Sequence, residues 1–241
     1  MQRIVKTCIP PGADPTFLLS YVTQRFTYHS PEIWRELIDQ QRVLVNGVPA
    51  TADTQIEAGD SLEYHPDFSR HPEPDVDTNI EILYEDQWLL AVDKPPNLPC
   101  HPAGAYFHNT LWAILKKRFD LEPHFVHRLD RETSGVVLIA KSPEIARKTQ
   151  QDFQNDRVRK SYLVKVEGKP PVSFVAEGLI CDDLASPVRK KRRFIPMPDA
   201  EEKVPDNAQS CKTRFRRIEH RNGQSILLAR PDTGRLHQIR A

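Results

Sequence analysis

Residues 127–141, His-Arg-Leu-Asp-Arg-Glu-Thr-Ser-Gly-Val-Val-Leu-Ile-Ala-Lys, are the most informative stretch of this 241-residue sequence. The continuous apolar run 135–140 predicts a buried strand. Just before it, Asp130 lies between Arg128 and Arg131 in a polar segment. Catalytic groups tend to lie on loops that a rigid sheet supports, and neighbouring guanidinium groups favour an ionised carboxylate. The stretch therefore predicts a loop with a candidate catalytic aspartate, although a turn capped by Asp130 is the simpler interpretation of these residues alone.

Two further segments carry groups suited to a site. Residues 93–102, Asp-Lys-Pro-Pro-Asn-Leu-Pro-Cys-His-Pro, follow a predicted strand. Their prolines restrict the backbone, so this loop is expected to form a rigid pocket wall. Residues 231–240, Pro-Asp-Thr-Gly-Arg-Leu-His-Gln-Ile-Arg, predict a turn at Gly234 that leads into a helix and presents several polar side chains together. An ordinary helix start would also explain this second segment.

Other site types fit the sequence less well. The P-loop and dinucleotide-binding glycine motifs are missing from the sequence, which disfavours a nucleotide cofactor. His124, His127 and Asp130 could supply two nitrogens and one oxygen to a metal ion. Pro123 and the loop character of this segment argue against both histidines lying on one helical face. We therefore expect no metal site, and a metal-dependent hydrolase is kept as an alternative.

The hydrophobic periodicity predicts an α+β protein with a mixed, largely antiparallel sheet, preceded by a small α/β module. The module is placed at 14–65, an acidic and Pro-rich linker at 66–79, and the main domain at 80–241. Helices are predicted at 16–26, 31–41, 109–119 (with Asn109 as the N-cap) and 143–154. Strands are predicted at 43–45, 61–64, 80–84, 88–92, 135–140, 160–167, 212–218 and 225–229.

Charge is distributed unevenly along the chain. The formal net charge of +1 combines −9 in residues 1–110 with +10 in residues 111–241. A polyanion, if one binds, is therefore expected on the second half. The run 189–193 lies in a Pro-rich insertion predicted over 186–206, and it fits either a solvated loop or a phosphate contact.

The remaining composition points to a reducing compartment. Four cysteines lie far apart without a C-x-x-C motif, which disfavours a disulfide framework or a zinc ribbon. The sequence lacks an apolar run near the ~18 residues of a membrane span and the apolar region of a secretory signal. We expect a cytoplasmic protein without a membrane partner.

The sequence contains four motifs in order: DKPPNLPCHPAG at 93–104, HRLDRETSG at 127–135, KSYLVKVEG at 160–168 and TGRLHQIR at 233–240. Together they resemble the motifs of the RluA family of pseudouridine synthases. Residues 29–65 are similar to the S4-type RNA-binding domain that often precedes this catalytic domain. The resemblance spans roughly residues 14–241.

This resemblance implies a pseudouridine synthase fold and the isomerisation of uridine to pseudouridine in ribosomal or transfer RNA, without a cofactor. Asp130 matches the catalytic aspartate of the family, Arg240 the basic residue that pairs with it, and Tyr162 the tyrosine that stacks on the target base. Candidate substrate-binding residues are Arg128, His101, Arg235 and His237. Candidate RNA contacts are Arg25, Arg35 and Arg42 in the module, and Arg189, Lys190, Lys191, Arg192 and Arg193 in the basic run.

Several alternatives stay open from the sequence. Asp130 could attack C1′ of the ribose, attack C6 of the base, or stabilise charge while a base removes a sugar proton. Tyr28-His29-Ser30 stands where relatives often have an arginine, which implies weaker RNA binding by the module. The chain stops directly after the closing motif, so we expect a truncated catalytic domain. The main expectation is a monomeric RNA pseudouridine synthase, and the alternative is a catalytically impaired RNA-binding fragment of one.

Overall fold

The structure is a computed structural model, and it describes residues 4–120, 122–155, 157–186, 188, 191–197 and 204–241. The chain divides into two compact units, Met1–Ser142 and Pro143–Ala241. In both units the described sheets pair their strands antiparallel, and both units also contain helices. The predicted α+β class with a largely antiparallel sheet is confirmed.

The N-terminal part of the first unit contains two short helices beside a small sheet. Its core is built around the buried side chains Val22, Trp34 and Leu37. The second helix begins as the sequence predicts, since Ser30 Oγ accepts a hydrogen bond from the backbone N–H of Ile33 (3.5 Å). The elements are β1 (Val5–Cys8), β2 (Thr16–Phe17), α1 (Leu18–Arg25), α2 (Pro31–Asp39), β3 (Val43–Val45), β4 (Val48–Pro49), β5 (Gln55–Ile56) and β6 (Ser61–Tyr64).

The strands of this part form a sheet in the order β1-β6-β3-β4, with β2 and β5 paired separately. Strand β1, which lies before residue 14, was not anticipated, and it pairs with β6. Its alternating half-buried and exposed residues show why the four-residue segment has a weak apolar signal.

The rest of the first unit is a four-stranded antiparallel sheet with one helix. Its elements are β7 (Glu81–Glu85), β8 (Leu89–Lys94), α3 (Leu111–Phe119), β9 (His124–Phe125) and β10 (Gly135–Ala140), with strand order β7-β8-β10-β9. The hairpin predicted around residues 85–86 forms as expected. Asp86 Oδ1 accepts the backbone N–H groups of Trp88 and Leu89, both at 2.7 Å, and so closes the turn.

The predicted N-cap of α3 was wrong by one residue. Thr110 is the N-cap, and its Oγ1 accepts from the backbone N–H of Ala113 (3.2 Å). The side-chain amide of Asn109 instead donates to the carbonyl of Pro74 (2.8 Å). A long-range contact therefore engages the side chain that would otherwise serve as the cap.

Residues 66–79, here called the connecting segment, have no helix or strand but are anchored at two points. Asp67 forms an ion pair with Arg42 (2.9 Å). The carboxylate of Glu73 accepts the backbone N–H groups of residues 107, 108 and 109, each at 2.8 Å. Three charge-assisted bonds to one carboxylate make a strong anchor.

The second unit is a five-stranded antiparallel sheet with one helix. Its elements are α4 (Pro143–Gln154), β11 (Tyr162–Glu167), β12 (Ser173–Asp182), β13 (Arg192–Pro196), β14 (Gln209–Arg221) and β15 (Gln224–Pro231), with strand order β11-β15-β14-β12-β13. Phe174 and Phe215 stack at 4.8 Å on the inner face, near buried Leu227 and Ala229.

Two strands of this sheet differ from the sequence expectation. Strand β12 was not predicted, and β13 runs through part of the segment expected to be a loop. The register sets Arg192 opposite Asp182, and the two form an ion pair at 2.7 Å. Neutralising this arginine allows a basic stretch to enter a sheet. Arg189 and Lys190 lie outside the described residues.

The helix expected after Gly234 was also wrong. Residues 232–240 form a succession of turns, in which Arg240 N–H bonds to the carbonyl of His237 (2.8 Å). His237 has φ +56°, a left-handed conformation that interrupts a right-handed helix.

Candidate active site

Asp130 lies in the loop between β9 and β10, where the sequence analysis expected a supported loop. The side chain is half-buried. The backbone N–H of Thr133 donates to the carbonyl of Asp130 (3.1 Å), which closes a tight turn. Leu129, immediately before it, is 7% exposed and anchors the loop in the core. The carboxylate is thus attached to backbone that packing and a turn both restrain.

Lys94 is the main structural clamp of this region, and the sequence analysis did not single it out. It is fully buried, and its Nζ donates to the carbonyls of Pro95 (2.8 Å), Leu98 (2.9 Å) and Arg131 (3.1 Å). Desolvation lowers the pKa of Lys94. The first two carbonyls belong to the proline-rich loop and the third follows Asp130. One ammonium group therefore ties the two loops together.

Further bonds join the same two loops. The backbone N–H of Leu98 donates to the carbonyl of Arg131 (3.2 Å), and Cys100 Sγ donates to the carbonyl of Leu129 (3.4 Å). Burial raises the pKa of Cys100, which keeps the thiol protonated and able to donate. The predicted rigid wall 93–102 is therefore bonded directly to the aspartate loop.

His101 lies in this wall, beside the exposed Arg128. Its ring packs against Phe125 with a centroid separation of 4.3 Å. Burial, followed by the nearby charge of Arg128, lowers the pKa of His101. A neutral imidazole at pH 7 can donate one hydrogen bond and accept another. The structure thus brings His101 and Arg128 next to the loop of Asp130.

Arg131 faces a different set of partners. Its guanidinium forms an ion pair with Glu132 (2.6 Å) and a hydrogen bond with the hydroxyl of Tyr106, and it lies over the Tyr106 ring. The pKa of Arg131 is raised, chiefly by its hydrogen bond to Glu132. These contacts brace the outer side of the aspartate loop.

His127 also braces the loop. Leu138 N–H donates to its Nε2 at 3.0 Å, so this nitrogen accepts a hydrogen bond from the neighbouring strand. An imidazole nitrogen that accepts in this way has no lone pair left for a metal ion. Among the described residues, no cluster of three or more His, Cys, Asp or Glu side chains is arranged to hold a metal ion.

The other candidate residues of the catalytic motifs belong to the second unit. The register aligns Tyr162 with Ala229, and Ala229 with Phe215, so the half-buried phenol shares the inner face of the sheet. Arg235 and Arg240 are exposed in the turns that follow β15. His237 lies between them and has the left-handed backbone described above.

Gln238 holds these turns against the sheet, and the sequence analysis did not notice it. Its Oε1 accepts from Thr233 Oγ1 and from the backbone N–H of Arg235, both at 2.9 Å. Its Nε2 donates to Thr213 Oγ1 (3.0 Å) and to the carbonyl of Lys212 (3.2 Å). All four hydrogen-bonding sites of the amide are used. In the sequence, the only sign of this role is that Gln238 is an uncharged residue between two arginines.

The candidate RNA contacts have varied surroundings. Arg25 and Arg35 are exposed on α1 and α2. Arg42 is engaged by Asp67, as described above. In the second unit, Lys191 lies 3.6 Å from Asp183 and Arg193 is exposed on β13. Their role in binding RNA stays a prediction.

Comparison with known proteins identifies the family. The family model described as RNA pseudouridylate synthase matches residues 88–241, about two thirds of the chain. Human pseudouridylate synthase RPUSD2 is 34% identical over 172 residues, which are 71% of this chain and 30% of the human protein. The mitochondrial tRNA pseudouridine(32) synthase of Saccharomyces cerevisiae is 30% identical over 223 residues, which are 92% of this chain and 46% of the yeast protein. The chain thus spans about a third to a half of these two relatives.

A bacterial relative and a solved structure agree. A protein of Chlorobaculum parvum named as an uncharacterised RNA pseudouridine synthase is 32% identical, with 91% of this chain matched to 68% of that protein. The structure of human RNA pseudouridylate synthase domain containing 1 has a TM-score of 0.57 and 25% identity, with coverage of 70% of this chain and 65% of that one. The described helices are each too short or too polar to span a membrane. The family match begins after the N-terminal module, and the S4-type assignment of that module therefore stays a prediction. The chain belongs to the RNA pseudouridylate synthase family.

Proposed function

We propose that the chain converts specific uridines of ribosomal or transfer RNA to pseudouridine. The bond between N1 and C1′ breaks, the uracil rotates, and a bond between C5 and C1′ forms. The proton on C5 is released and N1 takes up a proton, so the atoms of the nucleoside balance and no cofactor is needed. The observation that carries the proposal is the doubly clamped loop of Asp130 in a chain of this family.

Clamping suits a carboxylate that must act on one atom of a flipped nucleotide. Removing the target uridine from its stack costs on the order of a few kcal/mol. A displacement of about 1 Å at a reacting group can cost ~10²-fold in rate. The hydrogen bonds that restrain the loop of Asp130 end on the backbone carbonyls of its two neighbours, Leu129 and Arg131.

The roles of the other residues follow from the motif matches. We infer that Arg240 pairs with Asp130 and keeps it charged, and that Tyr162 stacks on the uracil. His101 and Arg128 are suited to bind the ribose-phosphate beside the aspartate, because one is a neutral hydrogen-bonding group and the other an exposed cation. Arg235 and His237 are proposed to bind the flanking nucleotides.

The test is the release of tritium from RNA labelled at C5 of uracil. We expect Asp130→Asn to reduce release by at least ~10³-fold while RNA affinity changes little, because the amide removes the charge that the chemistry needs. Glu132→Gln is the matched control, since it makes the same chemical change two residues away in the same loop, and it should stay within a few fold of the parent protein.

Two results would contradict the proposal. Undiminished release by Asp130→Asn would remove the assigned role. Salt-sensitive RNA binding by the parent protein, with no tritium release from any tRNA or rRNA substrate, would favour an RNA-binding protein without catalysis.

We further propose that the protein works as a monomer in the cytoplasm. Its four free cysteines suit a reducing compartment. The yeast relative is named as mitochondrial, so fractionation of cells that express a tagged protein is the direct test of location. Light scattering on the purified protein tests the monomer.

A further inference from the structure

The outer face of the five-stranded sheet in the second unit is open to solvent. Side chains alternate between the two faces of a strand, and Thr213 and Phe215 point to the inner face. Arg214 and Arg216 therefore point outward, and both are exposed. On the flanking strands Leu163 is 73% exposed, which shows that this face is uncovered in the described part of the chain.

The strand register gathers three arginines on this face. Arg214 on β14 lies directly opposite Arg230 on β15, and Arg216 is opposite Leu228, one step further along the same face. Side chains directly opposite each other have Cβ atoms ~5 Å apart. We call Arg214, Arg216 and Arg230 the outer arginine cluster.

The cluster carries more positive charge than its neighbours balance. Asp232 binds Arg214 through two contacts of 3.0 Å. Within the described residues, Arg216 and Arg230 have no ion-pair partner. Like charges directly opposite each other destabilise a sheet. By contrast, the next outward residue of β14, Lys212, is matched with Glu177 at 2.5 Å. Arg216 and Arg230 therefore leave an excess of positive charge at this point of the outer face, which an external anion would neutralise.

We propose that the outer arginine cluster binds phosphates of the substrate RNA at a distance from the target uridine. This inference rests on the proposed function and extends it. Guanidinium groups bind phosphate oxygens in bidentate fashion. Residues 143–241 carry a formal net charge of +8, so the surrounding field also attracts a polyanion.

The cluster lies on the face opposite to Tyr162. The register puts Tyr162 in line with Ala229 and Phe215 on the inner face, whereas the arginines project outward. An RNA that contacts both faces must extend around the sheet. The protein is therefore expected to prefer a folded RNA over an isolated stem-loop.

The test compares two double variants of the full chain. Arg216→Gln/Arg230→Gln removes two charges from the cluster and keeps the ion pair of Arg214. Arg147→Gln/Lys148→Gln is the matched control, since it removes two exposed charges from α4 in the same unit. The probes are a full-length tRNA transcript and a 17-nucleotide stem-loop, titrated by fluorescence anisotropy at several salt concentrations.

We expect the cluster variant to bind the tRNA transcript at least about tenfold more weakly at 0.1 M salt. The slope of log affinity against log salt should fall by about two, one for each lost phosphate contact. Stem-loop binding should change by less than about twofold, and the control variant should behave as the parent protein. Thermal unfolding of each variant identifies any that fail to fold, and Arg216→Lys/Arg230→Lys should restore most of the slope.

Three outcomes would overturn the inference. These are unchanged tRNA binding by the cluster variant, an equal loss in the control variant, and an equal loss of stem-loop binding. The first would leave a second copy of the chain or an acidic protein as the occupant of this face. If the parent protein forms pseudouridine but its tRNA affinity does not depend on the cluster, only this inference fails. If tRNA affinity depends on the cluster but no pseudouridine forms, only the proposed function fails.

Discussion

At the scale of single residues, Lys94 has an unusual role for a lysine. It is fully buried and binds three backbone carbonyls, although lysines are seldom buried without a carboxylate partner. Carbonyl oxygens solvate the ammonium group in place of water. Since these carbonyls come from both loops of the candidate site, Lys94 couples the position of Asp130 to the proline-rich wall.

Replacing Lys94 with methionine should therefore destabilise the protein and disturb the site. Methionine preserves most of the volume but leaves three carbonyls without a donor, which we expect to lower the free energy of unfolding by about 2–4 kcal/mol. Urea titration measures the loss. Lys117→Met on the exposed side of α3 is the control and should stay within about 0.5 kcal/mol. A stable Lys94→Met variant would show that the carbonyls find other partners.

His29 should make the N-terminal module sensitive to acid. Burial, followed by the charge of His71, lowers the pKa of His29 from 6.5 to about 4. Between these pH values the unfolded chain binds more protons than the folded chain, so the stabilisation is present above about pH 6.5 and is lost as the pH falls towards 4. After allowing for partial exposure, we expect a loss on the order of 1 kcal/mol between pH 7 and pH 5.

His29→Phe should flatten this dependence, because phenylalanine keeps the ring contacts with Tyr64 and Trp34 but does not titrate. Urea unfolding at pH 7, 6 and 5 measures it. An unchanged pH profile in His29→Phe would show that His29 is not the group that makes the module sensitive to acid.

At the scale of helices and strands, the sequence was most informative where one local pattern dominated. The strand at 135–140 and the helix at 143–154 have the predicted bounds, because an unbroken apolar run defines one and a Ser-Pro-Glu start defines the other. Strand β12 was not predicted, because Gly178 interrupts the alternation of apolar and polar residues along it. Strand β13 escaped because the ion pair of Arg192 with Asp182 is visible only once the strands are paired. Long-range partners also decided the cap of α3 and the turns around Gln238.

The candidate site shows the same division. The motifs placed Asp130 on a supported loop next to a rigid wall, as a local pattern can. They did not reveal Lys94, because the carbonyl of Arg131, its one partner from the aspartate loop, becomes a neighbour only when residues 94 and 131 meet in the folded chain.

Gly178 should tolerate no side chain. A Cβ atom there would lie 2.2 Å from the carbonyl oxygen of Ile195 and 3.0 Å from the Phe194 ring, both on β13. Gly178→Ala is therefore expected to separate β12 from β13 and to cost more than about 2 kcal/mol of stability. Val175→Ala, at an exposed position of the same strand, is the control. Hydrogen exchange of residues 192–196 is the measurement, and unaltered protection there would contradict the expectation.

At the scale of the whole molecule, the connecting segment determines how the first unit is held together. Glu73 accepts three backbone N–H groups from residues 107–109. Glu73→Gln replaces one acceptor oxygen with a donor and removes the charge, so we expect the 101–110 loop to open more readily by about 1–3 kcal/mol. Faster hydrogen exchange at residues 107–109 is the expected result. Asp77→Asn is the control, since Asp77 caps only its own turn at Asn79.

The anchoring of the connecting segment also guides the construction of chimeras. A proline-rich stretch between folded parts is the usual place for the junction when one N-terminal module is exchanged for another. A junction between residues 71 and 73 would keep each of the anchoring bonds within one part: Asp67 stays with Arg42, whereas Glu73 and the carbonyl of Asp75, which Asn97 binds at 3.2 Å, stay with the loops that they hold. A junction within residues 76–79 would instead exchange Glu73 and Asp75 along with the module, and residues 107–109 would lose their acceptor.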